Sequence, residues 1–174
     1  RPASAYAVRL GLRYVKGLRE RAGRAIVAAR RARPFTSVHD LARRAGLTRE
    51  ELAALAAVGA LDALSGSRRR ALWAAAVPAP LGLFAEADTA GAPGSEPCPL
   101  PEMTARERLV ADYAGSGVTL GPHPLAFLRA ALARRGVVRA IDLPALAAGQ
   151  RVRVAGSVIV RQRPATARGV VFLS

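Results

Sequence analysis

The sequence predicts a mainly α-helical chain with a small β part, an α+β architecture overall. Capped helical segments punctuated by glycine and proline fill the first 77 residues, proline and glycine dominate residues 78 to 102, and β-type alternation begins only after residue 150. A chain of 174 residues can hold one large domain or two small ones. We therefore predict a helical module over 1 to 77, a flexible linker over 78 to 102, connecting helices over 103 to 136 and a β region over 137 to 174.

The helices of the first module are predicted from caps and breakers. Alternating apolar and basic residues over 7 to 12 favour a short edge strand. Apolar residues at helical spacing predict a helix over 20 to 33, which Pro34 ends. N-capping residues predict three further helices, over 38 to 45 after Ser37, from Thr48 with its capping-box partner Glu51 to about Gly59, and over 68 to 77 after Ser67.

The second half changes from helical to β periodicity. Thr104 and Glu107 form a capping box for one helix, and Pro124 begins another that carries Leu125, Leu128 and Leu132 on one face and stops at Gly136. Residues 151 to 161 and 169 to 173 then predict a hairpin with Pro164 in its turn. Two strands alone rarely form a stable sheet, so we expect the opening of a small barrel or sandwich whose other strands lie outside this chain.

The formal net charge of +15 favours a polyanionic partner. Lys16 is the only lysine, and this arginine bias fits either phosphate recognition by planar guanidinium groups or a GC-rich coding sequence. The charge is bipartite, with 16 basic against 5 acidic residues over 1 to 75 and 9 against 1 over 113 to 174. A single cysteine, Cys98, and no long apolar run or signal core favour a cytoplasmic protein that makes no membrane contact.

The first candidate site is a glycine turn between a short and a longer helix, around Gly17, which resembles a helix-hairpin-helix motif. In that motif the backbone N–H groups at the start of the second helix approach a DNA phosphate. Val15, Leu18 and Ile26 occupy its apolar positions and Gly23 its small position, whereas Arg19 replaces its second glycine. The predicted contacts to duplex phosphates are Lys16, Gly17, Leu18, Arg19, Arg21 and Arg24. The alternative is a plain helical hairpin with solvated charges.

Two further basic features lie outside this hairpin. A second, imperfect hairpin around Gly59 is expected to pack rather than bind, and residues 68 to 70, all arginine, begin a helix where either solvent tolerates them or an anion lies nearby. In the β region a single-strand-binding face is predicted, with a solvated sheet edge as the alternative. Its candidate contacts are Arg151, Arg153, Arg161, Arg163 and Arg168, with Phe172 as its only aromatic residue.

No catalytic or metal site is predicted. His39 and His123 are far apart in sequence and suit packing or capping, and no pair of carboxylates has the arrangement that two-metal phosphoryl transfer requires. We therefore expect no cofactor in this chain and predict no catalytic residue.

Four segments together resemble the bacterial C-family DNA polymerase III alpha subunits, and the last two resemble their error-prone, ImuC-type branch. These segments are residues 8 to 18, 34 to 41, 117 to 125 and 160 to 169. The resemblance implies that residues 1 to 77 are the end of the fingers and a helix-hairpin-helix module, and that residues 137 to 174 open an OB-fold. It implies that the catalytic aspartates and their Mg²⁺ belong to a palm domain outside this chain.

The resemblance also implies partners. These are primer-template and single-stranded DNA, an accessory error-prone polymerase-like subunit and a sliding clamp, in damage-induced translesion synthesis. Residues 81 to 84 resemble the apolar end of a clamp-docking peptide without its leading glutamine. The main alternative is a protein-interaction module that docks such a subunit or clamp through the linker and the leucine face of the helix after Pro124. A third, a free-standing basic nucleoid-type protein, fits the charge but not an end at Ser174 inside a predicted strand.

Overall fold

The computed structural model describes residues 9 to 77, 98 to 167 and 169 to 173. The chain divides into two compact units, Arg1–Gly121 (unit 1) and Pro122–Ser174 (unit 2). This boundary falls inside the predicted segment 103 to 136, so the two helices predicted there belong to different units. Most of the predicted linker, residues 78 to 97, lies outside the described residues, as does the docking segment predicted at 81 to 84.

Unit 1 is helical throughout its described secondary structure. A single 3₁₀ turn at Leu12–Tyr14 precedes six helices: α1 (Glu20–Ala32), α2 (Val38–Ala45), α3 (Arg49–Ala57), α4 (Asp62–Ser65), α5 (Arg68–Ala76) and α6 (Ala105–Gly115). The hydroxyls of Ser37 and Ser67 cap α2 and α5, and complete capping boxes begin α3 and α6. The sequence therefore predicted these starts correctly, whereas the short α4 was not predicted.

The edge strand predicted over 7 to 12 is wrong in its described part. Residues 9 to 11 have no regular structure, and Leu12 begins the 3₁₀ turn. The Tyr14 N–H donates to the Gly11 carbonyl, and the Val15 N–H donates to the Leu12 carbonyl, at 3.1 and 3.0 Å. These local hydrogen bonds satisfy the backbone where the alternation of side chains suggested a ladder.

The core of unit 1 lies between α3 and α5, with α1 and α2 packed beside them. Leu55 is only 1% exposed, and the aliphatic side chains of Val38, Leu41 and Leu52 surround the same core. Several core positions are alanines, which allow helices to approach closely because their side chains are short. Among the described residues, every helix is too short or too polar to span a lipid bilayer.

The described residues of unit 2, 122–167 and 169–173, contain little regular structure. Its elements are 3₁₀ turns at Pro124–Leu128, Ala140–Ala145 and Ala165–Ala167, one helix, α7 (Arg129–Arg134), and two strands, β1 (Arg161–Gln162) and β2 (Phe172–Leu173). The strands pair antiparallel, with Arg161 opposite Leu173 and Gln162 opposite Phe172. The predicted hairpin is present, although each strand is two residues long, and the predicted helix after Pro124 begins as a 3₁₀ turn.

The strand predicted over 151 to 161 is wrong over residues 151 to 160. Only Arg153 pairs there, in an isolated parallel bridge with Val137, and the remaining residues have no ladder. All ten are exposed, including Ile159 at 85%. Alternating side chains favour a strand only where a neighbouring strand covers one face and accepts the backbone hydrogen bonds, and the described part of unit 2 offers no such neighbour. The OB-fold therefore stays a prediction.

Truncating the centre of the α3–α5 core should destabilise unit 1. We expect Leu55→Ala to lower its free energy of unfolding by about 2–5 kcal/mol, because the substitution removes buried methyl groups and leaves a cavity. Urea denaturation followed by circular dichroism measures the change. Val110→Ala on the exposed face of α6 is the control and should change stability by less than about 0.5 kcal/mol; equal losses for the two variants would contradict this core.

Candidate nucleic-acid interface

The predicted hairpin joins the 3₁₀ turn to α1 through Gly17. The φ of Gly17 is +87°, a left-handed conformation that residues with a β-carbon rarely adopt. Val15 and Ile26 are buried in the core on either side of the turn, and Leu18 packs against the same core. The apolar residues predicted to clamp the hairpin therefore do so. A β-carbon built at Gly23 would lie 3.8 Å from the β-carbon of Leu12.

The hairpin rests on α3 and α6. The backbone N–H of Lys16 donates to the carbonyl of Gly115 at 2.8 Å, at the end of α6. A β-carbon built at Gly17 would lie 3.6 Å from that of Ala54 in α3, so the turn lies directly on that helix. The backbone of the turn is consequently held in place from two sides, while the Lys16 side chain stays exposed.

Glu51 of α3 is a buried carboxylate that binds the start of α1. It is only 2% exposed, and its Oε1 accepts a hydrogen bond from Arg19 Nε at 2.6 Å. Its Oε2 accepts from the backbone N–H of Thr48 at 3.0 Å, completing the capping box of α3. The Arg19 guanidinium and the Thr48 N–H lower the pKa of Glu51 to about 2, against its burial, which would raise it.

Arg19 therefore has a structural role besides its predicted contact with phosphate. Only Nε of its guanidinium binds Glu51, and its side chain remains 46% exposed. The Nη groups have no hydrogen-bond partner within the described residues, so they are available to a ligand. A contact between Arg19 and phosphate stays a prediction, now assigned to the Nη edge of the side chain.

The N-terminus of α1 offers further donors. The first backbone N–H groups of a helix lack intrahelical partners, and the helix dipole adds partial positive charge there. Arg21 and Arg24 are exposed on this turn of α1. Arg24 pairs with Glu20 at 2.6 Å, but both side chains are about four-fifths exposed, so solvent screens the pair and it is worth little.

The second hairpin packs within unit 1, as predicted. Gly59 has a φ of +77°, and Arg68 beside it is largely buried. Arg68 donates to Asp112 at 2.6 Å, and Arg69 donates to Glu107 at 3.0 Å. Of the two alternatives for the arginine-rich start of α5, solvent or a nearby anion, the structure thus shows nearby anions for Arg68 and Arg69, the carboxylates of α6.

Unit 2 presents four of its five predicted contacts to solvent. Arg151 and Arg153 lie on the irregular segment, Arg161 lies on β1, and Arg163 follows it. An Arg153 Nη group donates to the carbonyl of Arg135 at 3.4 Å. Arg168 lies outside the described residues. Phe172 on β2 is half exposed, in keeping with a surface role.

The two histidines have different surroundings. The Nδ1 atom of His123 accepts a hydrogen bond from the Leu125 N–H at 3.2 Å and so caps the following turn. Both ring nitrogens of His39 are buried, and no hydrogen-bond partner for them lies among the residues that the structure describes. Within the described ranges, no group of three or more histidine, cysteine or acidic residues could hold a metal ion.

Sequence reasoning missed two parts of this interface. Nothing in the sequence links Glu51 to Arg19, because the two are 32 residues apart and meet only when α3 packs under the hairpin. Arg13 and Arg31 also line a groove beside the hairpin, together with Arg24. The spacing of seven residues between Arg24 and Arg31 was a usable signal, since it places both on one face of a helix.

Comparisons with known proteins agree with this geometry. A helix-hairpin-helix motif family matches residues 2–71. Proteins named error-prone DNA polymerase match 97% of the chain at 48% identity in Pseudomonas paraeruginosa PA7 and at 47% in Azoarcus sp. BH72. The chain is homologous to one segment of the error-prone DNA polymerases. It spans about 16% of the length of these relatives.

The resemblance inferred from the sequence is thereby confirmed. A third error-prone DNA polymerase, from Ralstonia nicotianae, is 44% identical over 96% of the chain. The match covers both units, so unit 2 is shared with these polymerases as well as the hairpin. No solved structure matches the chain significantly.

Replacing the carboxyl of Glu51 should destabilise unit 1 in a pH-dependent manner. The pKa of Glu51 is lowered from 4.5 to about 2, so its ion pair contributes fully above about pH 5 and is lost as the pH falls towards 2. We expect Glu51→Gln to cost about 1–3 kcal/mol near pH 7 and progressively less below pH 5. Urea denaturation at a series of pH values measures the difference from wild type.

Glu102→Gln, an exposed carboxyl outside the hairpin, is the matched control and should give a small difference at every pH. A cost of Glu51→Gln that stays constant between pH 5 and pH 2 would show that the ion pair with Arg19 does not stabilise the fold.

Proposed function

We propose that this chain is a DNA-holding region of an error-prone DNA polymerase, with the hairpin of unit 1 as its contact to duplex phosphates. The observation that carries the proposal is the exposed basic hairpin around Gly17, fixed on α3 by the Glu51–Arg19 pair. The match to the helix-hairpin-helix family over 2–71 supports it. The chain spans only a small part of its polymerase relatives, so their activity is not assigned to this chain alone.

The proposed contact is sequence-independent. A phosphate at the start of α1 would accept hydrogen bonds from its free backbone N–H groups and would attract the side chains of Lys16, Arg21 and Arg24. Contacts to phosphates position a protein on DNA without reading its bases. This suits a protein region that must hold the duplex whatever its sequence is.

For unit 2 we propose a contact with the single-stranded template, through its exposed arginines and Phe172. The basic residues would follow the backbone, and one aromatic side chain would stack on a base. The OB-fold implied by the resemblance would supply the remaining surface. Two further predictions belong to the same proposal: use in damage-induced translesion synthesis, which the resemblance implies, and a cytoplasmic location, which the single cysteine and the lack of a signal core favour.

Protein partners form the alternative proposal. An accessory polymerase-like subunit or a sliding clamp could dock on unit 2, where Leu128 is exposed on the helical side and Val158 and Ile159 on the extended segment. Such binding would depend on apolar contact and would respond weakly to salt. DNA binding through phosphates should instead weaken steeply as salt rises, so the two proposals give different titrations.

Removing two hairpin arginines should weaken DNA binding and flatten its salt dependence. For Arg21→Ala with Arg24→Ala we expect the slope of log affinity against log salt to fall by about 2, because each phosphate contact contributes about 0.9. Fluorescence anisotropy with labelled duplex, primer-template and single-stranded DNA, between about 50 and 300 mM salt, measures the slope. Neither arginine binds Glu51, so the fold of the hairpin should be retained.

A charge-matched control separates the hairpin from general electrostatics. Arg70→Ala with Arg106→Ala removes the same charge from exposed positions on α5 and α6. If this control reduces duplex affinity and slope as much as the hairpin variant does, or if heparin displaces every DNA form equally, the net charge alone is responsible and the hairpin proposal fails.

The unit 2 contact predicts a different selectivity. Arg161→Ala with Arg163→Ala should weaken binding of single-stranded DNA by about tenfold or more at low salt, because two phosphate contacts are lost. Duplex affinity should change by less than about threefold, a difference that general charge loss would not produce. The same anisotropy titrations measure both, with Arg129→Ala plus Arg134→Ala on α7 as the charge-matched control.

A further inference from the structure

A groove runs beside the hairpin, between the 3₁₀ turn and the solvent-facing side of α1. Its volume is about 770 Å³. Part of its lining is apolar and includes one glycine, and we call this part the floor: Leu12, Leu18, Gly23 and Val27, which are half-buried, and Ala28, which is exposed. The rest of the lining, which we call the rim, is exposed and consists of four arginines and one acidic residue: Arg13, Arg19, Arg24, Arg31 and Glu20. The groove thus combines a positively charged rim with an apolar floor.

The charge and spacing of the rim fit one strand of a nucleic acid. Arg24 and Arg31 are seven residues apart on α1, which corresponds to about 10 Å along the helix axis. Successive phosphates of a DNA strand are about 3.4 Å apart along the duplex axis and farther apart along the strand itself, so the two arginines can contact different phosphates of one strand. Glu20 offsets one of the four positive charges, so the rim keeps a positive net charge of +3.

The positions of the other two arginines extend this path towards the hairpin. Arg13 is held against Tyr14, with its guanidinium 5.1 Å from the ring centroid and an Nη group 3.3 Å from the phenol oxygen. Arg19 is held through Nε by Glu51, which leaves its Nη edge for a ligand. Two of the four cations are therefore oriented by the protein before any ligand binds, which lowers the entropy lost on binding.

The floor of the groove adds a chemical restriction. The side chains of Leu12, Leu18, Val27 and Ala28 carry no hydrogen-bonding group. A sugar lying on this floor between rim-bound phosphates would place its ring carbons against them. Deoxyribose presents only C–H groups at its 2′ carbon, whereas ribose would bury a hydroxyl without a partner, and an unpaired buried hydroxyl is costly.

We propose that this groove seats the sugar–phosphate backbone of one DNA strand and discriminates against ribose at the 2′ position. The proposal rests on the proposed function, because it requires a nucleic acid at the hairpin. It adds a binding surface beyond the hairpin, two further contacts at Arg13 and Arg31, and a selectivity that phosphate contacts alone cannot provide.

The test compares oligonucleotides of deoxyuridine and uridine, which have the same base and differ only at the 2′ position. The complete chain is used, carrying Arg161→Ala and Arg163→Ala so that the proposed contact of unit 2 adds no binding of its own. In this background we expect the deoxyribose strand to bind about tenfold more tightly than the ribose strand. Fluorescence anisotropy at low salt measures both affinities.

Val27→Thr places a hydroxyl on the floor with almost no change of shape. A hydroxyl there gives the 2′-OH a partner, so we expect the preference for deoxyribose to fall to about twofold. Val110→Thr makes the same chemical change on the exposed face of α6 and should keep the full preference. Thermal denaturation of both variants checks that the fold is retained.

The outcomes separate this inference from the function on which it rests. If Arg24→Ala with Arg31→Ala leaves the affinity for deoxyuridine strands unchanged, no nucleic acid lies in the groove and the inference is wrong, while the Arg21 and Arg24 duplex test still decides the hairpin. If removing the arginines weakens binding but the deoxyribose and ribose strands bind equally, the groove binds phosphates without discriminating the sugar, and the inference about the 2′ position is wrong. Equally effective displacement by polyglutamate would point to an acidic protein segment instead and would also overturn the inference.

Discussion

The buried carboxylate of Glu51 is the contact on which the arrangement of the hairpin depends. Its Oε2 completes the capping box with Thr48 at the start of α3, and its Oε1 binds Arg19 at the start of α1. One side chain therefore connects the end of the hairpin to the helix beneath it. Because Glu51 is almost fully buried, the pair is shielded from water and salt on one side, and the hairpin backbone keeps a defined position before it meets a ligand.

Buried carboxylates also pair with arginines elsewhere in unit 1, and these pairs account for part of its arginine content. Asp40 is buried and binds Arg33 and Arg44, and Asp112 is buried and binds Arg68. Buried carboxylates require partners, and a guanidinium can reach them while its remaining donors bind nearby carbonyls or face water. The arginines of unit 1 thus fall into two groups. Some hold helices together, and the exposed ones on the hairpin side carry the proposed contact with a polyanion.

Much of the helical part could be predicted because its signals are local. Capping boxes, glycine stops and Pro34 are read within a few residues, and α2 begins and ends where Ser37 and Gly46 indicated. The β region could not be predicted equally well, because a strand depends on a partner that no local pattern supplies. For the interface, the basic residues and Gly17 were predictable from the hairpin pattern, whereas the partner of Arg19 and the apolar floor beneath Arg31 were not.

The sequence by itself determined the starts of α1, α2, α3, α5 and α6, the glycine at the turn, the bipartite charge and the resemblance to error-prone polymerases, since each is given by the order and type of residues along the chain. Only the tertiary structure decided which arginines are free. Arg68 and Arg19 are both basic residues near a helix start, yet one is largely buried against Asp112 and the other keeps its Nη edge exposed. The physical reason is that an arginine's availability depends on which carboxylates packing brings beside it, and the carboxylates that bind Arg19 and Arg68 lie 32 and 44 residues away in sequence.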